Sequence, residues 1–162
     1  MNDSATNLTL DATDLRLLDL LQQDASRTNQ DLAQYAHVSA ATCLRRVKRL
    51  VDGGVIERRV ALLSPEKLGA GVSAIVENTL DRQGAEHLFD FEQRALKEDA
   101  VQQCYRVTPG PDFVLVVQVA DMPAYHALVL RLFTQDANVR NVKSYFSVHR
   151  AKFEPRMMLP KL

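Results

Sequence analysis

The chain lacks most of the local patterns by which a sequence announces chemistry. It has two cysteines in 162 residues, Cys43 and Cys104, and neither lies in a CxxC or Cys/His ligand spacing. That argues against a disulfide framework and a zinc cage, and for a reducing compartment with both thiols as small core residues. The histidines His37, His87, His126 and His149 are scattered without an i,i+4 pair, so no metal ligand set is expected. There is no G-x-S-x-G, no P-loop and no dinucleotide fingerprint, and no local pair of carboxylates marks acid–base work. No catalytic residue and no cofactor is expected. No apolar run approaches the roughly 18 residues of a membrane span, and no basic-then-apolar signal segment opens the chain. The expectation is a cytoplasmic, globular protein without a membrane partner.

Net charge is lacking too: 20 basic residues balance 20 acidic ones. Taken alone, that argues against a nucleic-acid partner, but the distribution is uneven. Met1–Val38 has two basic residues and six acidic ones, a net of −4. Ser39–Arg59 has six basic (Arg45, Arg46, Lys48, Arg49, Arg58, Arg59) and two acidic (Asp52, Glu57), a net of +4. Screening limits each charge's reach to about 8 Å at physiological salt, so a local basic face steers toward phosphate even on a neutral molecule.

That basic stretch sits inside Thr28–Gly54, which reads as two short helices joined by a tight turn. Upstream, Met1–Leu8 is polar and reads as frayed. Asp11 followed by Asp14 reads as an N-cap and an acidic first turn. Leu15, Leu17, Leu18, Leu20 and Leu21 give a first helix apolar around more than half its circumference. Thr28–Tyr35 is the second helix, with Leu32 and Ala33 inward. His37 stands in the turn, where glycine usually provides positive φ; histidine visits that region more readily than most residues. Ser39 is the N-cap of the third helix, and Gly53-Gly54 stops it. On that helix Cys43, Val47 and Leu50 recur at i, i+4, i+7 and form the buried back. At 100° per residue Thr42, Arg45 and Arg49 fall opposite, flanked by Arg46 and Lys48. An apolar back with an arginine-rich front is what a helix-turn-helix recognition helix needs. Val55–Leu63 then reads as a strand or small hairpin in the position of a wing, with Arg58 and Arg59 on it.

Ser64–Gly71 holds a proline and two glycines and reads as a linker. Beyond it the pattern is strand Val72–Leu80, helix Ala85–Leu96, strand Val101–Val107, turn Thr108–Asp112, strand Phe113–Val119, a helix capped by Asp121, and a last strand. In that last strand Val142, Phe146 and Val148 alternate with Lys143, Tyr145 and His149. The order β-α-β-β-α-β is the ferredoxin-like arrangement. The fold class is α+β, with a winged helix-turn-helix domain over residues 1–63, a linker over 64–71, a βαββαβ domain over 72–153 and a tail over 154–162.

Two features of the second domain point to binding. Phe113–Val119 is apolar on both faces, whereas helices in this arrangement cover only one face. The bare face is expected to meet a second copy of the chain. Thr108-Pro109-Gly110-Pro111-Asp112 is a stiff turn at the mouth of that strand. It reads either as a plain β-turn or as a ligand loop, with Asp112 toward an ammonium group and backbone N–H groups toward a carboxylate.

The stretches LDATDLRLLDLLQQDASRTNQDLA, VSAATCLRRVKRLVDGGVI, ALLSPEKLG and QCYRVTPGPDFVLVVQVADMPAY closely resemble the Lrp/AsnC family of leucine-responsive or feast/famine regulators. The resemblance implies a sequence-specific DNA-binding transcription regulator that is not an enzyme. It implies assembly as dimers, and commonly tetramers or octamers, and an amino acid or related metabolite as effector between effector domains. It places DNA contacts on Ser39, Ala40, Ala41, Thr42, Arg45, Arg46 and Arg49, beside Lys48, Arg58 and Arg59 from the charge pattern. It places effector contacts on Thr108, Pro109, Gly110, Pro111 and Asp112. Family members often carry Gly-Asp-x-Asp at that turn; this chain keeps only the last aspartate. The alternative is a ferredoxin-like ligand-binding or enzymatic domain whose winged helix makes protein contacts only.

Overall fold

The structure, a computed structural model, describes residues 8–65, 67–69, 71–136 and 138–160. The polar lead before Leu8 and two positions of the linker, Glu66 and Ala70, lie outside the described residues. The chain forms two compact units. One runs to Leu62 and resumes at Phe153; the other is Leu63–Lys152.

The first unit is three helices, α1 (Ala12–Gln23), α2 (Asn29–Ala36) and α3 (Ala40–Asp52). Each starts where a short polar side chain can satisfy free N–H groups. Asp11 caps α1 in a reciprocal box: its carboxylate accepts from Asp14 N–H at 2.9 Å, and the Asp14 carboxylate accepts from Asp11 N–H at 3.1 Å. Thr28 and Asp31 repeat the arrangement on α2, and Ser39 accepts from Thr42 N–H on α3. Between α2 and α3, His37 takes a left-handed conformation, φ 55° and ψ 46°, as the sequence anticipated for this turn. Leu17, Leu21, Leu32, Ala33, Ala36, Cys43 and Val47 close one core cluster. Leu15, Leu18 and Leu50 close another, against Leu8, Leu10, Ile56 and Leu159.

Three expectations change here. The strand over Val55–Leu63 does not form: the segment is irregular, with no wing beside α3. β-propensity alone makes no strand where no partner edge pairs with it. Leu8 is not frayed but packs on the Leu15–Leu18–Leu50 cluster. The segment read as a tail belongs to this unit. The Gln22 side-chain amide brackets the Met157 backbone, donating to its C=O at 3.2 Å and accepting from its N–H at 2.7 Å.

The second unit is a four-stranded antiparallel sheet in the order β2-β3-β1-β4, with β1 Val72–Leu80, β2 Val101–Arg106, β3 Phe113–Val119 and β4 Val139–Phe146. Two helices, α4 (Ala85–Ala95) and α5 (Met122–Val129), complete the β-α-β-β-α-β order, and α5 runs into a π-helical turn over Leu130–Thr134. Asp121 caps α5 with Pro123 in its first turn, as expected. Strand β4 ends at Phe146, so Val148 does not continue its alternation and is fully exposed. Gly71 enters β1 at φ 52°, and a Cβ there would stand 1.8 Å from the Val119 carbonyl oxygen. Only glycine fits that approach.

Ala74, Val76 and Leu80 from β1 and Phe113, Leu115, Val117 and Val119 from β3 join Phe91, Tyr125, Leu128, Leu132 and Phe133 from the helices in one core. The Phe91 and Phe113 rings lie 4.7 Å apart. Asn78 shares this inward face and is fully buried, yet neither side-chain polar atom has a hydrogen-bond partner. A buried orphan amide costs about 1–3 kcal/mol. Asn78→Val is therefore expected to raise the melting temperature of this unit by several degrees. A lower melting temperature would mean that the amide has a stabilising partner.

Candidate nucleic-acid interface and effector turn

Helix α3 is anchored by its back. Cys43 and Leu50 are fully buried and Val47 is nearly so. Burial holds the Cys43 thiol above its usual range, so it stays a neutral core group. Asn29 at the start of α2 donates to the Ala40 carbonyl at 2.8 Å and ties the two helix starts together. Ser39 Oγ bonds Thr42 Oγ1 at 2.9 Å, fixing the first turn of α3.

The basic residues of α3 split into two groups. Arg45 and Lys48 are exposed and have no hydrogen-bond or ion-pair partner among the described residues. Arg46 and Arg49 instead turn toward the start of α1. Arg46 donates to Asp11 at 2.7 Å and to Asp14 at 2.9 Å, and Arg49 makes a close ion pair with Asp14. Asp14 is fully buried. Its carboxylate oxygens accept from Asp11 N–H, Arg46 and Arg49. The Asp14 and Arg46 contacts hold the Asp11 carboxyl below the ordinary aspartate value. The helical wheel placed Arg49 opposite the buried back. The structure moves it to the flank facing α1, because a buried carboxylate there needs cationic partners. Thr42, Arg46 and Arg49 line that flank, and Ala41, Arg45 and Lys48 form the outward front. Arg58 and Arg59 are exposed on the irregular segment after α3.

In the second unit the turn Thr108–Asp112 closes β2 onto β3. Val107 N–H donates to the Asp112 carbonyl at 3.0 Å, and Asp112 N–H to the Asn78 carbonyl at 2.9 Å. The Asp112 carboxylate is engaged within its own unit: one oxygen, Oδ2, accepts from Leu80 N–H at 2.7 Å and from Gln83 Nε2 at 3.3 Å. Asp112 thus locks the end of β1 to the turn. Gly110, at φ 123°, is the residue that lets the chain reverse between two prolines. The outer face of the sheet lies opposite the helices. Val116 pairs in register with Ile75, which pairs in turn with Tyr145, and Tyr105 pairs with Val114. Ile75, Tyr105 and Tyr145 are about half exposed, at 49%, 52% and 51%.

Residues 10–51 match the AsnC-type helix-turn-helix domain, and residues 73–157 match the Lrp/AsnC ligand binding domain. The chain belongs to the Lrp/AsnC family. It is 37% identical over 151 residues to an uncharacterised HTH-type transcriptional regulator of Haemophilus influenzae, covering 93% of this chain and 90% of that one. It is 34% identical to the DNA-binding transcriptional activator DecR of Escherichia coli, covering 89% and 95%. It superposes at a TM-score of 0.83, with 31% identity and 93% and 97% coverage, on a transcriptional regulator from Neisseria meningitidis in complex with L-Met. The protein is thus an Lrp/AsnC-type transcriptional regulator with a DNA-binding helix-turn-helix and a ligand-binding domain. The family consists of transcriptional regulators, which are not enzymes. No helix of the described residues is long and apolar enough to cross a membrane.

The sequence placed Asp14 in the acidic first turn of α1 but did not reveal its pairing with Arg46 and Arg49 of α3. Its signal was present: an acid three residues after a helix cap, in a protein whose third helix supplies arginines. Sequence reasoning also missed the segment after Phe153, where no hydrophobic periodicity marks Leu159.

Proposed function

We propose that α3 enters the major groove with its Ser39–Thr42 end nearest the base edges. Arg45 and Lys48 then project to bases or flanking phosphates. Arg46 and Arg49 stand at the flank of this face, and Arg58 and Arg59 hold phosphates without reading sequence. The observation that supports this most is the division of α3: a buried apolar back, and Arg45 and Lys48 outward without a partner among the described residues. Two copies meet through the outer sheet face, and tetramers or octamers build from the dimer. An amino acid or related metabolite binds at Thr108–Asp112. Its ammonium faces the free oxygen of Asp112, and its carboxylate faces backbone N–H groups of the turn. The L-Met complex of the Neisseria meningitidis regulator supports an amino-acid effector. Ligand binding changes the assembly, hence the spacing of the DNA-binding units, and so couples ligand to DNA affinity.

Arg45→Ala is expected to weaken binding to a duplex that the wild-type protein selects from a randomised pool, by about 1–3 kcal/mol if Arg45 reads a base. Fluorescence anisotropy measures it, and wild-type affinity would defeat the assignment of α3's front. Random duplex DNA tests the coarser reading. Binding at low salt that falls steeply as salt rises is expected. No binding at low salt would favour a helix-turn-helix that makes protein contacts only.

A further inference from the structure

The flank of α3 carries an ion-pair arrangement that the front does not need. Asp14, fully buried on α1, accepts from both Arg46 and Arg49 of α3. Arg46 has a second acceptor in Asp11 at 2.7 Å, whereas among the described residues Arg49 has Asp14 alone. Among the described residues Asp14 is therefore the only carboxylate holding Arg49, and Arg49 is 43% exposed on its side chain.

We infer that Asp14 is a positioning residue that withholds Arg49 from DNA phosphate, so that the phosphate contacts of α3 run through Arg45 and Lys48. This rests on the reading that α3 meets DNA. A guanidinium held by a carboxylate of its own chain neutralises no phosphate, and so releases none of the cations condensed on the DNA. To reach the phosphate it must leave Asp14, and that strands a buried carboxylate with one cationic partner fewer. The neutral flank also fixes α3 against α1, so the front enters the groove at a set angle. The consequence is a smaller non-specific affinity than six basic residues between Ser39 and Arg59 would suggest.

The test is the salt dependence of full-length protein binding a random-sequence duplex. Each neutralised phosphate contributes a slope of about −0.9 in log K against log salt. Arg45→Gln is expected to make the slope shallower by about 0.9, and Arg49→Gln to leave it at the wild-type value. Asp14→Asn is expected to steepen it by about 0.9, so that a fourfold rise in salt costs about 3.5-fold more affinity than in wild type. Arg49→Gln in the Asp14→Asn background should restore the wild-type slope. A shallower slope from Arg49→Gln alone, matching that of Arg45→Gln, overturns the inference. Arg49 is half exposed, so this variant answers the question even if Asp14→Asn fails to fold. A wild-type slope from Arg45→Gln beside a steeper one from Asp14→Asn keeps Asp14's hold on Arg49 and overturns the phosphate contact assigned to Arg45. The two failures are thereby distinguishable.

Discussion

Val116→Asp is expected to abolish the proposed assembly through the outer sheet face and leave monomers with an intact fold. Val116 sits mid-strand on β3, on the sheet face away from the helices, opposite Ile75 of β1 and Gln103 of β2. It is half-buried within its own unit, so a carboxylate there still reaches water in the monomer and the sheet tolerates it. In an assembly that covers this face, the same carboxylate is desolvated among Val114, Ile75, Tyr105 and Tyr145. An uncompensated buried charge costs about 3–5 kcal/mol. A two-fold interface presents the charge twice, since each copy contributes the same patch. At 1.4 kcal/mol per tenfold, the dissociation constant rises by at least about a thousandfold. Sedimentation velocity reads the mass, and far-UV circular dichroism confirms that the monomer is folded. A variant that keeps the wild-type mass means that the assembly is built on another surface.

Leu50→Ala is the largest expected effect on the DNA-binding side. Leu50 is fully buried at the back of α3, packed with Leu15 and Leu18 of α1 and with Leu8, Leu10, Ile56 and Leu159. Truncating such a leucine costs about 2–5 kcal/mol, through lost transfer energy and the cavity left behind. A unit this small buries a smaller fraction of its surface than a large domain does and has little stability to spare. The substitution should therefore melt the helix-turn-helix unit while the sheet unit, whose core shares no residue with it, stays folded. Hydrogen exchange separates the two outcomes: α1–α3 amides should lose protection while β1 and β3 amides keep theirs. DNA binding should vanish with the first set. Uniform protection at wild-type levels would show that this cluster does not hold the unit together.

How much was legible in the sequence follows from how local each determinant is. Asp11, Thr28, Ser39 and Asp121 all cap helices where the sequence placed them, because a cap is decided within four residues. The left-handed turn at His37 was equally local. The bounds of β1 and β3 match those read from the sequence, because long apolar strands bounded by turn residues leave few alternatives. The wing was not legible: Val55–Leu63 has strand-forming residues, but whether a partner edge exists is a tertiary fact. Arg49 failed for a related reason. A helical wheel gives angles about one axis and says nothing of which neighbouring helix offers a buried carboxylate. For the turn at Thr108–Asp112, the sequence showed stiffness and one acid. That Asp112 already holds the end of β1 depends on a contact 32 residues away.

The position of Leu159 also governs when the molecule can finish folding. Helices α1–α3 leave the ribosome first, and domains generally fold as they emerge. The residue that closes their Leu15–Leu18–Leu50 edge, and the backbone that Gln22 brackets, are synthesised only after the whole sheet unit. A chain halted anywhere in the sheet therefore displays helices with an open apolar seam, which Leu159 closes only after the chain is released. The same seam makes any fragment that stops before Phe153 a poor substitute for the DNA-binding half.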